Sequence, residues 1–371
     1  MGVFLCSYLV DQMTGSPLLV QFVGAAIFAP MFFGGAIAGV IADRFDRRLT
    51  ILRQLALLIP IAVLMGTVVV SGAVQVWMVY PFMLAVGVGG VVDMTSRRAL
   101  IYDVVGPERA TNALALESLS MAGGTTLGAF FGGAVINFAG VGQCFFLIAA
   151  LYSASFLFLR GVPSQPASGM GGGASVVEDL REGVRFLRGS RSFRSILGVT
   201  VLMNLFYFSF MPMVPVFARQ MDVNALLAGI LAGATGLGMM IGSFLWAAWP
   251  VQRRGLVYVG GVVVAMAFLG LFALLQWYPL ALALLVCAGV GASGFGTMQG
   301  VLVMAAAGPE MRGRAMGMLS MAIGGLPFGM IALGGVAQGV GAAPAVAVSV
   351  AVGFVAMALW LARFPEAAKL R

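Results

Sequence analysis

The chain offers few residues on which chemistry could rest. Only 13 of its 371 residues are acidic and none is histidine, which excludes a His-dependent triad, a His-ligated metal or haem, and a His proton relay. Cys6, Cys144 and Cys287 lie in separate apolar runs without C-x-x-C spacing, a pattern of buried small hydrophobes and not of a zinc site or disulfide framework. No metal and no cofactor is therefore expected. The acids next to apolar segments are Asp11, Asp93 and Glu117. A charge at membrane depth is costly unless it is paired or faces water, so each is a candidate for proton coupling. Each also has a structural alternative: Asp93 stands four residues before Arg97, the spacing of a helical ion pair, Glu117 sits about one turn inside its apolar run, and Asp11 could cap a loop. Asn204, Tyr207, Phe208 and Gln299 are the polar or aromatic groups placed to line a cavity, with helix packing and interhelical hydrogen bonds as the alternative.

The elements that must position these residues are membrane spans. With 61% hydrophobic and 9% charged residues, the chain departs from soluble proteins, where about a quarter of residues are charged. Its apolar runs are continuous and do not alternate, which favours helices over a closed barrel. Full spans are predicted at 18–41, 50–70, 75–95, 113–136, 142–160, 195–217, 225–249, 255–275, 279–304, 315–338 and 343–362. Residues 1–10 precede them and cover only ~15 Å of a ~30 Å core. They read as the outer half of a first helix whose beginning, roughly 20 to 30 residues, is missing from the chain.

Charge placement tests this topology. If the loops alternate, Arg219 alone among the 21 Lys and Arg residues falls on the second face. Excess positive charge marks the cytoplasmic side, so the net charge of +8 indicates a membrane orientation and no nucleic-acid partner. The chain is expected to be multi-pass, with the long central loop and carboxy terminus cytoplasmic. That loop, 161–194, starts as a flexible Pro/Ser/Gly linker. It continues with Val177, Leu180, Val184 and Leu187 at helical spacing, predicting an amphipathic helix on anionic membrane lipids or, alternatively, against a partner.

A repeat spans the linker. Gly106-Pro-Glu108 recurs as Gly308-Pro-Glu310, Leu119-Ser-Met-Ala122 as Leu319-Ser-Met-Ala322, and Gly132-Gly133 as Gly334-Gly335. Arg47-Arg48 matches Arg253-Arg254 more weakly. A period near 200 residues with an even number of spans implies two parallel halves: 1–160, the linker 161–194, and 195–371.

The stretch Gly39-Val-Ile-Ala-Asp43-Arg44-Phe45-Asp46-Arg47-Arg48 resembles the G-x-x-x-D-R-x-G-R-R loop of the major facilitator superfamily, with Asp46 where glycine is usual. The resemblance implies a cytoplasmic latch carried by Gly39, Asp43, Arg44, Arg47 and Arg48, which Asp93 and Arg97 could join. The substitution at Asp46 leaves the tight turn there open. Asp11-Gln-Met-Thr14-Gly15-Ser16-Pro17 and Arg97-Arg98-Ala-Leu100-Ile-Tyr-Asp103-Val-Val are similar to motifs of the enterobactin-exporter-like and macrolide-efflux-like branch. Gly124-Thr-Thr-Leu-Gly128-Ala-Phe-Phe-Gly132-Gly133 keeps the glycines of the fifth-helix antiporter motif but lacks its proline.

This resemblance implies an all-α polytopic membrane protein of the major facilitator fold, with two six-helix halves rocking about a central site. It implies a monomeric, proton-coupled exporter of a small amphipathic compound such as a drug, macrolide or siderophore. An uptake carrier or lysophospholipid flippase would share the fold. A membrane-embedded enzyme is the reading from another class, disfavoured for want of a catalytic cluster, and a non-functional truncated product is the last alternative.

Overall fold

A computed structural model of the chain describes residues 1–44, 46–106, 110–162, 189–248, 251–275 and 277–370. The amphipathic helix expected at 177–188 lies outside these residues. Six helices precede the linker: α1 Gly2–Thr14, α2 Pro17–Arg44, α3 Arg47–Val70, α4 Val76–Val105, α5 Ala110–Phe138 and α6 Val141–Arg160. After it come α7 Arg191–Phe206, a 3-10 turn Phe208–Met213, α8 Val214–Gln220, α9 Ala225–Ala248, α10 Arg254–Leu274, α11 Tyr278–Ile323, α12 Leu326–Val340, α13 Ala342–Arg363 and the short α14 Glu366–Lys369. Among the described residues nine helical segments are long and apolar enough to cross a membrane. Helices suit this sequence because hydrocarbon cannot satisfy backbone N–H and C=O groups, and a helix satisfies them within one segment.

Two predicted elements differ from expectation. The span at 195–217 is not one continuous helix. Pro212 and Pro215 remove N–H donors and crowd the carbonyls four residues earlier, and the chain passes through the 3-10 turn between α7 and α8. The second difference is the expected break near 305–314. Helical hydrogen bonding continues through it, so α11 runs for 46 residues, about 69 Å at 1.5 Å per residue. Ala305, Ala306, Ala307, Glu310, Met311, Arg312 and Arg314 are residues of high helix propensity and outweigh Gly308 and Pro309 there. In the first copy of the repeat α4 stops at Gly106, whose φ of 75° is a left-handed conformation that glycine adopts freely. The repeated glycine therefore follows a helix end in the first copy and lies inside a helix in the second.

The glycine pairs of the repeat do correspond. One glycine of each pair lies on a seam between the halves. A Cβ added at Gly133 on α5 would sit 2.7 Å from the Gly229 Cα on α9. One added at Gly334 on α12 would sit 2.9 Å from the Gln21 Cβ on α2. Small residues let helices approach this closely where the hydrophobic effect cannot drive association. One buried apolar cluster runs from Phe4 and Leu5 on α1 to Val346 and Met357 on α13, so both halves share a core.

Candidate functional site

Three groups of side chains could act in a membrane protein of this shape. The first closes the seam on the arginine-poor face. Arg219 at the end of α8 donates from Nε to Asp11 Oδ2 at 2.9 Å and from Nη2 to Asp11 Oδ1 at 3.0 Å. The Asp11 side chain is 1% exposed and that of Arg219 43%, so the carboxylate is buried and the guanidinium is reached from one side. Arg219 also donates to the Gly15 carbonyl, and Gly15 ends α1 with a positive φ of 60°. Nearby, Ser16 Oγ donates to Gln338 Oε1 at 2.7 Å. Deeper in the seam, Gln21 Nε2 donates to the Ser209 carbonyl at 2.9 Å, satisfying a backbone group in the 3-10 turn. These contacts join the α1–α2 region to α8, α12 and the turn, across the two halves.

Around this seam several polar atoms are buried without a hydrogen-bond partner among the described residues: Ser7 Oγ, Gln21 Oε1, Tyr207 Oη and Ser209 Oγ. An orphaned buried polar atom costs about 1–3 kcal/mol. Two of them, Gln21 Oε1 and Ser209 Oγ, belong to residues that the Gln21–Ser209 hydrogen bond joins across the seam.

The second group lies at the arginine-rich end of the first half. Gly39, Asp43 and Arg44 fall outside the residues whose side chains are described, as do Arg98 and Asp103. Asp46 N-caps α3, its Oδ1 accepting from Leu49 N at 2.8 Å, so the residue that departs from the motif starts the next helix. Arg47 is buried at 8% exposure. Arg48 donates to the carbonyls of Leu159 and Arg160 at 3.1 and 2.7 Å, closing the end of α6. Asp93 and Arg97 form the expected pair, with Nε to Oδ2 at 2.9 Å and Nη2 to Oδ1 at 2.8 Å. That hydrogen bond, with added attraction from Asp93 and Glu117, raises the Arg97 pKa. Glu117 on α5 thus contributes to the field at Arg97.

The third group joins the two predicted amides. Asn204 Nδ2 donates to the Thr200 carbonyl at 2.8 Å, and Gln299 Nε2 donates to Thr200 Oγ1 at 2.9 Å. Thr200 Oγ1 lies 2.9 Å from Tyr258 Oη, which donates to the Ile196 carbonyl. The Tyr258 ring stacks on Phe295 at 5.1 Å, and Phe208 packs on Phe295 at 6.1 Å and on Tyr207 at 5.0 Å. Asn204 and Gln299 meet inside the second half, where both amide nitrogens are engaged. Thr200, Tyr258, Gln21, Ser209 and Arg219 are missing from the sequence-derived set. Pro212 and Pro215 are the sequence signal that could have found the broken span, whereas nothing local links Thr200 to Tyr258.

Between α2 and α12 lies an open groove of about 680 Å³. It is lined by Leu19, Phe22, Phe32, Tyr80, Phe328 and Ile331 among others, and Phe32 meets Phe328 edge to face at 5.6 Å. Its walls are almost wholly apolar, the surface expected to accept an aliphatic or aromatic moiety.

A family profile described as Major Facilitator Superfamily matches residues 1–327. Comparison with curated proteins gives no match. Among solved structures, a bacterial homolog of the human lysosomal transporter Spinster, inward-facing and occupied, is 15% identical. It superposes with a TM-score of 0.73 over 100% of this chain and 95% of its own. The nucleoside transporter NupG is 16% identical with a TM-score of 0.71, covering 98% of this chain and 96% of its own. A POT family transporter in complex with 5-aminolevulinic acid is 11% identical with a TM-score of 0.70, over 99% and 96% of the two chains. At these identities the likeness is one of fold.

Proposed function

Because the chain belongs to the major facilitator superfamily and is accordingly a multi-pass membrane transporter and not an enzyme, we propose that it exports a small amphipathic compound in exchange for protons. The observation that carries this reading is the seam on the arginine-poor face. There the Asp11–Arg219 pair and the Ser16–Gln338 contact hold the two halves together, and Ser7, Gln21, Tyr207 and Ser209 each carry a buried polar atom without a hydrogen-bond partner among the described residues. In this reading the arginine-rich face is cytoplasmic, the halves comprise 1–160 and 195–371 about the linker 161–194, and the membrane is a bacterial inner membrane. Substrate enters from the cytoplasmic side, satisfies Gln21, Tyr207 and Ser209 through neutral hydrogen bonds, and leaves when the seam parts. The branch motifs at 11–17 and 97–105 support a drug, macrolide or siderophore as cargo. Protons would act through Glu117, Asp93 or Asp11, and the protein works as a monomer.

The apolar groove between α2 and α12 favours a second reading, transfer of a lysophospholipid whose chain slides along that wall. Proteoliposomes containing the full chain separate the two. Export predicts that an imposed proton gradient drives a fluorescent macrolide or siderophore across the bilayer. Transfer of labelled lysophospholipid with no movement of those compounds would replace the first reading by the second.

A further inference from the structure

A cation cluster at the arginine-rich end of the second half has no part in the seam. Arg191, Arg194 and Arg363 surround one ring, their guanidinium carbons 5.9, 5.1 and 5.2 Å from the Phe364 centroid. The carboxylate described in this group is Glu366, which meets Arg191 Nε at 2.7 Å. Among the described residues three cations thus face one anion. Further hydrogen bonds fix the assembly: Ser195 Oγ donates to the Phe364 carbonyl and accepts from Ala367 N, and Arg191 Nη2 donates to the Arg363 carbonyl. The N-terminus of the 16-residue α7 points into the same region and adds its positive partial charge. Arg194 Nε is buried without a hydrogen-bond acceptor among the described residues.

An apolar stripe leads away from this cluster. Val348, Val352, Val355 and Leu359 are 52, 50, 61 and 67% exposed and follow one another at intervals of three or four along α13, the spacing of one helix face. The next step of four reaches Arg363. Cations at a membrane surface above an exposed apolar face match an amphiphile with an anionic head and a hydrocarbon tail.

We propose that Arg191, Arg194 and Arg363 bind the phosphate of an anionic phospholipid, with an acyl chain along Val348, Val352, Val355 and Leu359. Charge complementarity selects the headgroup, because a zwitterionic lipid cancels the attraction that three guanidiniums offer. The stripe selects a lipid over free phosphate. Guanidinium pairs bind phosphate through parallel N–H donors, and the Phe364 ring keeps these three arginines close together.

The test is lipid binding by the full-length protein in detergent, measured by native mass spectrometry and thermal unfolding. The probes are phosphatidylglycerol, phosphatidylcholine of the same chains, and inorganic phosphate. The expected result is retention of and stabilisation by phosphatidylglycerol but not by the other two. Arg194→Gln with Arg363→Gln is expected to weaken phosphatidylglycerol binding roughly thirtyfold, from the typical contribution of a basic residue near an anionic surface. If that variant fails to fold, Leu359→Asp, which keeps every arginine, carries the test and is expected to reduce retention of the lipid. Equal binding of both lipids, a stabilisation reproduced by inorganic phosphate alone, or full phosphatidylglycerol binding by the variants would each overturn the proposal. None of these outcomes depends on which substrate the protein transports.

Discussion

Asp11 and Arg219, 208 positions apart in the chain, form a two-pronged ion pair across the seam between the halves, with donor–acceptor distances of 2.9 and 3.0 Å. The pair is asymmetric in its burial, since the carboxylate is enclosed and the guanidinium is partly wet. A partner removed from a buried pair leaves a bare charge, which costs more than the pair itself contributes.

Arg219→Gln is therefore expected to destabilise the protein more than Asp11→Asn does. The double variant should recover part of the loss, because Asn and Gln leave no charge buried. Solvent access at Arg219 keeps the effect below the ~3–5 kcal/mol seen for fully buried pairs. Thermal unfolding of the three variants in one detergent checks the order. A double variant worse than the sum of the singles would show that the pair does not act as described.

Gly133 and Gly229 face each other across the seam with so little space that an added methyl group has no room there. Gly229→Ala is expected to push α5 and α9 apart on the arginine-poor face and to favour the state in which that face opens. Spin labels at the arginine-poor ends of α3 and α9 should show a longer mean distance in the variant. An unchanged distance with a lower unfolding temperature would mean that the strain is absorbed within the helices.

Gln21 and Tyr207 separate structure from substrate contact. Gln21→Leu orphans the Ser209 carbonyl, expected to cost about 1–3 kcal/mol, and stability and transport should fall together. Tyr207→Phe removes a hydroxyl that has no partner among the described residues. Stability should hold or rise while the substrate concentration needed for half-maximal transport increases. If transport by Tyr207→Phe is unchanged, Tyr207 belongs to the core alone.

The span pattern and the Asp93–Arg97 pair were legible in the sequence because each depends on residues within one helix: apolar run length for the first, four-residue spacing for the second. The same locality explains the readings that needed three dimensions. Asp46 looked like a lost glycine, yet three residues on it finds the Leu49 N–H that a helix N-cap requires. Asn204 and Gln299 were both singled out, but their meeting point at Thr200 depends on how α7, α10 and α11 pack. The α11 helix continues through Gly308-Pro309 because helix-forming neighbours on both sides offset two unfavourable residues, a balance that motif matching with Gly106-Pro107 hides.

Asp93, Glu117 and Asp43 can be assigned by separating energy coupling from stability. The Asp93–Arg97 pair is an exposed i,i+4 contact, with side chains 22 and 49% accessible, and such pairs contribute only ~0.3–0.5 kcal/mol. Asp93→Asn should therefore leave the unfolding temperature nearly unchanged. If Asp93 belongs to the cytoplasmic latch, Asp93→Asn and Asp43→Asn should both slow transport in either direction, with and without a proton gradient. Glu117→Gln is expected to behave differently if Glu117 carries the proton. Counterflow of substrate down its own gradient should persist, while accumulation against that gradient, driven by an imposed pH difference, should be lost. Counterflow and gradient-driven transport of the three variants in the same proteoliposomes give the comparison. Equal loss of both modes in Glu117→Gln would move Glu117 into the latch and leave Asp11 as the remaining coupling candidate.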